Sequence, residues 1–337
     1  MPGTCWRRSP APWESTDVKI IFFTGKGGVG KSTLAAAAAW QLSRKNRVLA
    51  VSLDPAHNLG DVFGVSLGDG KKSFSENLQL REVDLKKLAR DYLEQETRVL
   101  SESYHYLRTL NLDRYFSILK YSPGIEEYAL LTSIEKTLRE EGAFDYIVFD
   151  TPPTGLTLRF LALPQVTMAW IERLTAIRRQ ILDKRHTIQK IRGPLKEGEA
   201  NPEIRLQYDE KDDDILKRLR TLDGNYKALT GTLQGKDCGV VVVFNPDLLS
   251  LRESERLIEG LRELMLPLAL LVANKVTEEN RPTAEHVTGA LKRQAGAAVP
   301  TTSVALNREF ILGGSAPLYG IAEDLTVHLK EGRTEHV

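Results

Sequence analysis

The glycine-rich stretch at residues 25–33, GKGGVGKST, constrains the fold of this chain more than any other part of its sequence. It contains the pattern G-x-x-x-x-G-K-[ST], in which glycines let the backbone turn its N–H groups inward around a phosphate. An apolar run, Ile20–Phe23, leads into the stretch, and an alanine-rich run, Ala35–Ala39, follows it. The pattern therefore predicts a loop that joins a buried strand to a helix, and this context disfavours a flexible surface turn.

The residue types in this loop indicate what each contributes to a bound nucleotide. The positively charged ammonium of Lys31 is predicted to contact the β- and γ-phosphates, and the Ser32 hydroxyl is predicted to bind Mg²⁺. The helix that begins at Ser32 adds the positive end of its dipole. Lys26, at the apex of the loop, is predicted to neutralise nucleotide charge in its own subunit or across a dimer interface; the alternative is a solvated side chain. The predicted nucleotide-binding residues of the loop are Gly25, Lys26, Gly27, Gly28, Val29, Gly30, Lys31, Ser32 and Thr33.

Continuous apolar runs, each followed by a turn, predict a buried parallel sheet. Helical periodicity at Thr33–Ser43 and Leu251–Leu264 lies between these runs. This alternation predicts an α/β fold, with a doubly wound, mostly parallel sheet as the core of a P-loop NTPase. The predicted strands are Val18–Phe23, Val48–Leu53, Gln79–Val83, Tyr146–Phe149, Val240–Phe244 and Leu268–Ala273.

Two long stretches have helical periodicity throughout and are predicted to form an inserted α-helical subdomain. The start of the chain lacks the apolar region of a secretory signal, and we interpret it as a flexible arm. No apolar run reaches the ~18–20 residues of a membrane helix, so we expect a cytoplasmic protein with no integral membrane segment. The predicted boundaries are 1–17 for the arm, 18–84, 142–157 and 237–327 for the ATPase core, and 85–141 and 158–236 for the helical subdomain.

The net charge and the cysteines exclude several classes of partner and site. The formal net charge is +1, which gives no reason to expect a nucleic acid as partner. Cys5 and Cys238 are far apart in the sequence, and we interpret them as a loose thiol and a small core residue. The six histidines show no metal-ligand spacing, so neither a zinc nor an iron–sulfur site is predicted.

Asp54 follows the second predicted strand and begins the segment DPAHNLGD at residues 54–61. Ligands of open α/β sheets bind beyond the carboxyl ends of strands, which places Asp54 beside the γ-phosphate. A carboxylate there orients the attacking water or holds a water of the metal ion. The alternative is a helix cap, which is also the simplest interpretation of Asp61. His57 is interpreted as a polar loop residue.

Asp150 follows the apolar strand Tyr146–Phe149, in the setting of a carboxylate that binds the metal ion, usually through water. The loop 151–155 is then close enough to respond to the γ-phosphate, and it runs directly into the second helical stretch. Asn274 follows the strand Leu268–Ala273 and offers a donor and an acceptor to an adenine edge. A turn asparagine is an equally good interpretation of that residue.

These segments together resemble the arsenite-pump ATPase (ArsA) family, which includes the ATPases that escort tail-anchored membrane proteins. The resemblance runs from about residue 19 to the C-terminal region, and it also covers PGIEE at residues 123–127 and LLSL at residues 248–251. It implies that Lys26 engages nucleotide across a dimer while Lys31 and Ser32 act in their own subunit. It further implies that Asp54 activates water and that Asn274 lies at adenine. Asp150 is then at the metal, ATP and Mg²⁺ are the cofactors, and the chain forms a homodimer.

Departures from the family pattern concern the cargo rather than the ATPase. The arsenite-binding cysteines and the zinc-binding CxxC have no counterparts, and the chain has three methionines where a client groove is often methionine-rich. An apolar helical stripe is present at Met168, Ala169, Trp170, Ile171 and Leu174. Core packing is the favoured interpretation of this stripe, and a client-binding groove is the alternative.

Three functions are therefore compared. The favoured one is an ATP-driven dimeric switch, an anion-transporting ATPase homologue whose helical subdomain acts on a client or a membrane-associated partner protein. The alternative is the ATPase subunit of an anion or metalloid efflux system, although arsenite requires soft ligands such as thiolates. A positioning ATPase that acts on DNA or membrane is disfavoured, because the chain ends in a short segment of mixed charge rather than a basic amphipathic helix.

Overall fold

The computed structural model describes residues 18–55, 58–103, 124–192, 209–307 and 325–331. The apolar runs of the sequence form the strands of one sheet, because each run buries its side chains on both faces. The strands are β1 Lys19–Gly25, β2 Val48–Ser52, β3 Lys72–Ser75, β4 Leu78–Glu82, β5 Tyr146–Asp150, β6 Cys238–Phe244, β7 Leu268–Val276 and β8 Thr301–Ala305.

The strand order is β3-β4-β2-β5-β1-β6-β7-β8. Every neighbouring pair is parallel except β3 and β4, which are antiparallel. Strand β1 lies inside the sheet between β5 and β6, and the chain extends the sheet from there in both directions. The carboxyl end of β1 is therefore the kind of topological switch point at which open α/β sheets bind ligands. The predicted α/β, mostly parallel fold is confirmed.

The helices of the described residues connect these strands. Helix α1 packs closely on the sheet because residues 35–39 are all alanine and at most 1% exposed, so small side chains let the helix approach the strands. The helices are α1 Lys31–Ser43, α2 Asn58–Phe63, α3 Leu85–Ser103, α4 Ile125–Glu140, α5 Thr154–Arg192, α6 Asp214–Leu233, α7 Leu248–Glu263, α8 Arg281–Ala295 and α9 Leu325–Glu331.

Two strands of the sheet were not predicted from the sequence. Strand β3 has the sequence KSFS and β8 has TTSVA, and both lie at edges of the sheet with partly exposed side chains. Edge strands bury fewer apolar groups than central ones, so they lack the continuous apolar run that identified the other strands. The predicted strands that did appear agree with the structure to within a few residues at each end.

The chain divides into two compact units. One contains the sheet and consists of the described parts of Ser15–Ala162 and Thr232–Val337, and the other consists of the described parts of Leu163–Gly231. The described parts of the first helical stretch, 85–103 and 124–141, belong to the unit with the sheet, and Arg81 on β4 donates to Thr137 on α4 at 2.5 Å. The boundaries proposed for a helical subdomain stay a prediction, and the predicted arm at residues 1–17 lies outside the described residues.

The unit Leu163–Gly231 contains most of α5 and α6. Asp213 is fully buried at the start of α6 and accepts hydrogen bonds from the guanidinium of Arg178 on α5, the shortest at 2.6 Å. Its carboxylate also accepts from the backbone N–H of Leu216 at 2.8 Å. Burial acts to raise the pKa of Asp213, but these hydrogen bonds and the charge of Arg178 hold that pKa below its ordinary value. The ionised pair thus joins the two helices of this unit.

None of the helices in the described part of the chain is long and apolar enough to span a bilayer.

Candidate functional site

The glycine-rich loop leaves the carboxyl end of β1, between β5 and β6. In the strand register Phe23 lies beside Asp150 of β5, and Gly25 lies beside Val243 of β6. A Cβ on Gly25 would lie 2.1 Å from the Val243 carbonyl oxygen, so only glycine fits at the point where the strand becomes the loop. The predicted strand–loop–helix unit is therefore present, with Lys31 as the first residue of α1.

Two side chains from the end of β7 hold the backbone of the loop. The side-chain amide of Asn274 donates to the Val29 carbonyl at 2.7 Å, and the ammonium of Lys275 donates to the Gly28 carbonyl at 2.7 Å. Asn274 also lies against Gly30, whose φ of 94° and lack of a Cβ permit this approach. The amide nitrogen of Asn274 thus supports the phosphate loop, and the contact of this residue with adenine stays a prediction.

Lys31 is 5% exposed, so its ammonium is largely removed from water. The ammonium donates to the backbone carbonyl of Lys26 at 3.3 Å and so lies across the inner side of the loop. Burial lowers the pKa of Lys31, although the carboxylates of Asp150, Asp54 and Glu253 act in the opposite direction. A lysine that is already dehydrated interacts strongly with an anion, because less water screens its charge.

Asp150 lies at the carboxyl end of β5 and is 1% exposed. Burial raises the pKa of its carboxyl to about 7, while a hydrogen bond from Ser32 and the charge of Lys31 act to lower it. Ser52 at the end of β2 donates to Oδ2 of Asp150 at 3.4 Å. Within the described residues, Oδ1 of Asp150 is buried and has no hydrogen-bond partner.

Asp54 follows β2, the strand next to β5, and is 8% exposed. Its charge acts on the pKa of both Lys31 and Asp150, so the two predicted strand-end carboxylates and the loop lysine share one site. The predicted position of Asp54 beside the γ-phosphate stays a prediction. His57 and its neighbour Ala56 lie outside the described residues.

These residues fit a magnesium ion. Mg²⁺ prefers oxygen ligands and keeps several of its waters, so it is usually held by one hydroxyl or carboxylate together with nucleotide phosphates. Ser32 supplies a hydroxyl close enough to Asp150 to lower the pKa of its carboxyl, and Oδ1 of Asp150 is buried without a hydrogen-bond partner among the described residues. In the described ranges no group of three or more histidine, cysteine, aspartate or glutamate side chains is arranged to hold a metal. The hydroxyl of Ser32 and the buried carboxylate of Asp150 are oxygen groups of the kind that bind Mg²⁺ together with phosphate and water.

The loop after Asp150 connects the site to α5. The Thr151 hydroxyl donates to the Phe23 carbonyl at 2.9 Å, which ties the loop to the end of β1. The Thr157 hydroxyl, in the first turn of α5, lies 2.7 Å from the Pro152 carbonyl oxygen and 3.0 Å from Oγ1 of Thr151. All these threonine contacts are buried, so the start of α5 is fixed to the strand ends around the phosphate loop.

The apolar stripe predicted on the second helical stretch lies on α5. The core-packing interpretation is correct for Ile171, which is 5% exposed. It is wrong for Trp170 and Leu174, which are 63% and 48% exposed. Further large apolar residues of α5 are also exposed at intervals of three, four or seven residues, which places them on one face of the helix. We call this set the exposed apolar stripe: Val166, Trp170, Leu174, Ile177, Ile181, Ile188 and Ile191.

Two residues of the site were not identified from the sequence. Glu253 on α7 acts on Lys31 as a third carboxylate, and Lys275 on β7 holds the loop. The position of Lys275 at the carboxyl end of a predicted strand, next to Asn274, is a signal for a site residue, because Asp54 and Asp150 lie at equivalent strand ends. Glu253 lies within a helix, and its position follows only from how α7 packs beside β1 and β6.

A doubly wound sheet with a phosphate loop after its central strand, a buried loop lysine and two strand-end carboxylates defines a P-loop ATPase. Residues 18–296 match the family model described as anion-transporting ATPase. The chain belongs to this family and is an ATPase.

Individual relatives carry different names. A putative arsenical pump-driving ATPase of Aquifex aeolicus is 30% identical over 265 residues, which cover 78% of this chain and 82% of that protein. The ATPase get3 of Schizosaccharomyces japonicus is 30% identical over 267 residues, which cover 78% of this chain and 76% of that protein. An ATPase ASNA1 homolog of Entamoeba dispar is 28% identical over 275 residues, which cover 79% of each.

Proposed function

We propose that this protein hydrolyses ATP with Mg²⁺ in the cytoplasm, and that hydrolysis switches a homodimer between open and closed states. In this proposal the unit Leu163–Gly231, which we call the helical unit, acts on a client or partner protein. The observation that supports hydrolysis is that three ionisable groups lie near one another at the carboxyl ends of the strands. Asp54 and Asp150 come from the ends of neighbouring strands, and both act on the buried ammonium of Lys31.

Each side chain has a distinct task in this mechanism. Lys31 binds the β- and γ-phosphates and replaces the hydration of their charge. Asp54 orients the water that attacks the γ-phosphorus in line with the leaving oxygen. Hydrolysis breaks the bond between the γ-phosphorus and the bridging oxygen, forms a bond to the water oxygen, and releases ADP and inorganic phosphate. Most of the catalysis then comes from positioning and charge, since phosphoryl transfer needs little covalent chemistry from the protein.

Ser32 and Asp150 are the residues that would hold Mg²⁺, which neutralises phosphate charge when it is bound. The Ser32 hydroxyl acts on the pKa of Asp150 through a hydrogen bond, which supports a shared role of the two side chains at the cation. Because burial raises the pKa of Asp150 to about 7, this carboxyl is ready to lose its proton when a cation approaches.

The contacts of the loop 151–153 support transmission from the nucleotide to α5. Thr151 joins this loop to β1, and Thr157 joins it to α5. Helix α5 begins at Thr154 and continues to Arg192. A change at the γ-phosphate therefore acts on a helix whose later residues belong to the helical unit.

The exposed apolar stripe supports binding of a partner protein by that unit. It extends over 26 residues of α5, from Val166 to Ile191, or roughly 38 Å at 1.5 Å per residue. Contiguous apolar surface of this extent is uncommon on monomeric proteins and usually marks a site of interaction. Its chemistry fits an apolar segment of a client or partner protein.

The metalloid efflux alternative has less support. One relative is named for an arsenical pump, but arsenite requires thiolate ligands. Cys238 is buried, and burial raises the pKa of its thiol to about 12, so it stays protonated at neutral pH. Cys5 lies outside the described residues.

The substitution Asp54→Asn tests the mechanism. We expect it to keep ATP affinity within about threefold and to lower kcat by at least about 100-fold, because only water orientation is lost. ATP affinity is measured by calorimetry and kcat by phosphate release. Asp145→Asn is the matched control. Asp145 lies just before the amino-terminal end of β5, at the end of the strand opposite to Asp150, so this substitution should leave kcat unchanged. Wild-type turnover in Asp54→Asn would remove Asp54 from the mechanism.

The same variant tests the partner. In the presence of ATP and Mg²⁺, the Asp54→Asn protein should bind a peptide that carries an apolar transmembrane-type segment. The same protein with the further substitutions Trp170→Asp and Ile177→Asp should not bind this peptide. Both substituted residues are exposed, so their replacement should leave the fold and the basal ATPase rate intact. Equal peptide binding by the doubly substituted protein would show that the stripe is not the binding surface.

A further inference from the structure

The end of β7 presents two consecutive side chains to the phosphate loop. In a regular strand, successive side chains point to opposite faces of the sheet. Asn274 and Lys275 nevertheless donate to two adjacent carbonyls of the same loop, those of Val29 and Gly28. Such convergence requires a local departure from strand geometry.

That departure is present at Lys275 itself. Its φ is 58°, in the left-handed region that non-glycine residues seldom adopt. The pairing of β7 with β8 also shifts register between Ala273 and Val276, which is the pattern of a bulge. A bulge re-aims the side chains beside it, and such bulges are frequent next to active sites. Here the bulge turns the Lys275 side chain toward the loop.

The strained conformation is held in place from the other side by Asn280. Its side-chain amide donates to the Lys275 carbonyl at 3.0 Å, and its side-chain oxygen accepts from the Thr277 N–H at 2.7 Å. Asn280 stands at the N-terminal end of α8, where an asparagine side chain commonly caps its own helix. In this protein it makes no such cap bond and is bonded instead to the end of β7.

The two contacts fix the direction of backbone N–H groups in the loop. In a trans peptide the C=O and the following N–H point in opposite directions. Since Lys275 holds the Gly28 carbonyl, the N–H of Val29 points away from Lys275, and since Asn274 holds the Val29 carbonyl, the N–H of Gly30 points away from Asn274. These are N–H groups of the kind that cradle phosphates in glycine-rich loops.

We propose that Lys275 is a positioning residue of the ATPase reaction: its ammonium fixes the Gly28–Val29 peptide so that the Val29 N–H faces bound phosphate. Lys275 acts through the loop rather than on the nucleotide. The N–H groups of the loop contact phosphates that ADP and ATP share, so the effect of Lys275 is equal on the affinity for both nucleotides. It changes KM and leaves the chemical step alone.

The substitution Lys275→Met tests this role, because methionine keeps a long side chain and removes the donor. We expect Kd for ADP and for an ATP analogue to rise together by about 10-fold, with KM rising in parallel and kcat staying within about twofold. Lys275→Arg, which keeps a charged donor, should recover most of the affinity. Kd is measured by calorimetry, and KM and kcat by phosphate release.

Lys275→Gly separates positioning from a structural role. Glycine adopts positive φ without strain, so this variant should melt at the wild-type temperature or above while it binds ADP as weakly as Lys275→Met. Met265→Gly is the matched control, since Met265 also has a positive φ, 56°, but is 66% exposed after α7. It should gain thermal stability in the same way and keep wild-type KM.

Three outcomes would overturn the proposal. The first is wild-type ADP affinity in both Lys275→Met and Lys275→Gly. The second is a loss confined to the ATP analogue, which would mean that the ammonium acts on the γ-phosphate. The third is a loss of affinity that follows a fall in melting temperature and is not recovered by Lys275→Arg, which would reduce the residue to a structural role.

Discussion

Asp150 is 1% exposed, and its burial raises the pKa of its carboxyl from 3.8 to about 7. A carboxyl whose pKa is higher in the folded than in the unfolded protein binds its proton more tightly when folded. The stability this provides is fully present below about pH 4 and is lost as the pH rises through 7. At neutral pH the carboxyl is therefore only partly ionised, and its ionised form favours cation and nucleotide binding and weakens the nucleotide-free fold.

Replacement of Asp150 by Asn should reveal the stability that the nucleotide-free protein loses when Asp150 ionises. Without nucleotide and Mg²⁺, Asp150→Asn should melt above the wild-type protein at pH 8, and the difference should shrink or reverse toward pH 5. Each unit of pKa corresponds to about 1.4 kcal/mol, so a relative change of a few kcal/mol is expected across this range. The measurement is thermal denaturation in a pH series.

Asp145→Asn is the control for that series. Hydrogen bonds from Arg47 hold the pKa of the Asp145 carboxyl below its ordinary value, so this residue does not titrate between pH 5 and 8. Its replacement should change stability by the same amount at every pH in the range. A pH-independent difference for Asp150→Asn as well would contradict the assignment of a raised pKa to Asp150.

At the scale of elements, buried threonine hydroxyl groups join the first turn of α5 to the loop that follows Asp150. Thr157 is fully buried, and its hydroxyl lies within 3.0 Å of two oxygens of the loop after Asp150. Valine has nearly the same shape as threonine but no hydroxyl, and it would leave a buried carbonyl without this donor. The start of α5 then loses its fixed position relative to Asp150.

Thr157→Val should therefore cost about 1–3 kcal/mol of folding free energy, the usual penalty for an unsatisfied buried polar group. It should also lower kcat, because the Asp150 loop is no longer fixed. Thr187→Val is the control on the same helix, since Thr187 is exposed and its hydroxyl donates to the Asp183 carbonyl in the preceding turn. If the two substitutions have equal effects on melting and kcat, the buried contacts do not join α5 to the site.

The elements also show which parts of the structure could be predicted from sequence. Asp54 and Asp150 were found because each follows a long apolar strand, and parallel strands bring their carboxyl ends to one edge. Strand β3 was missed because an edge strand with the sequence KSFS buries few apolar groups. Lys275 was missed because its direction depends on a positive φ, which no residue pattern encodes for lysine. Glu253 was missed because helix packing, rather than local sequence, brings it to Lys31.

At the scale of the whole molecule, the phosphate loop has an inner and an outer side. Val29 and Lys31 are buried on the inner side, whereas Gly27 and Gly28 are exposed. Lys26 is next to these exposed glycines and is half-buried. A second subunit can therefore approach the outer side of the loop without disturbing Lys31. This geometry is what the proposed role of Lys26 across a homodimer needs.

Lys26→Ala should then separate dimer formation from nucleotide binding. With a non-hydrolysable ATP analogue and Mg²⁺, the wild-type protein should have the mass of a dimer by light scattering, and Lys26→Ala should stay a monomer at the same concentration. Its affinity for ADP should fall by no more than about threefold, because the charge it loses acts on a nucleotide in the facing subunit. Lys236→Ala is the control, since Lys236 is exposed and lies just before the amino-terminal end of β6, away from the phosphate loop at the carboxyl ends of the strands. A Lys26→Ala dimer that forms as readily as wild type would show that Lys26 does not act between subunits. A loss of ADP affinity much larger than threefold in Lys26→Ala would show that the Lys26 charge acts on nucleotide within its own subunit.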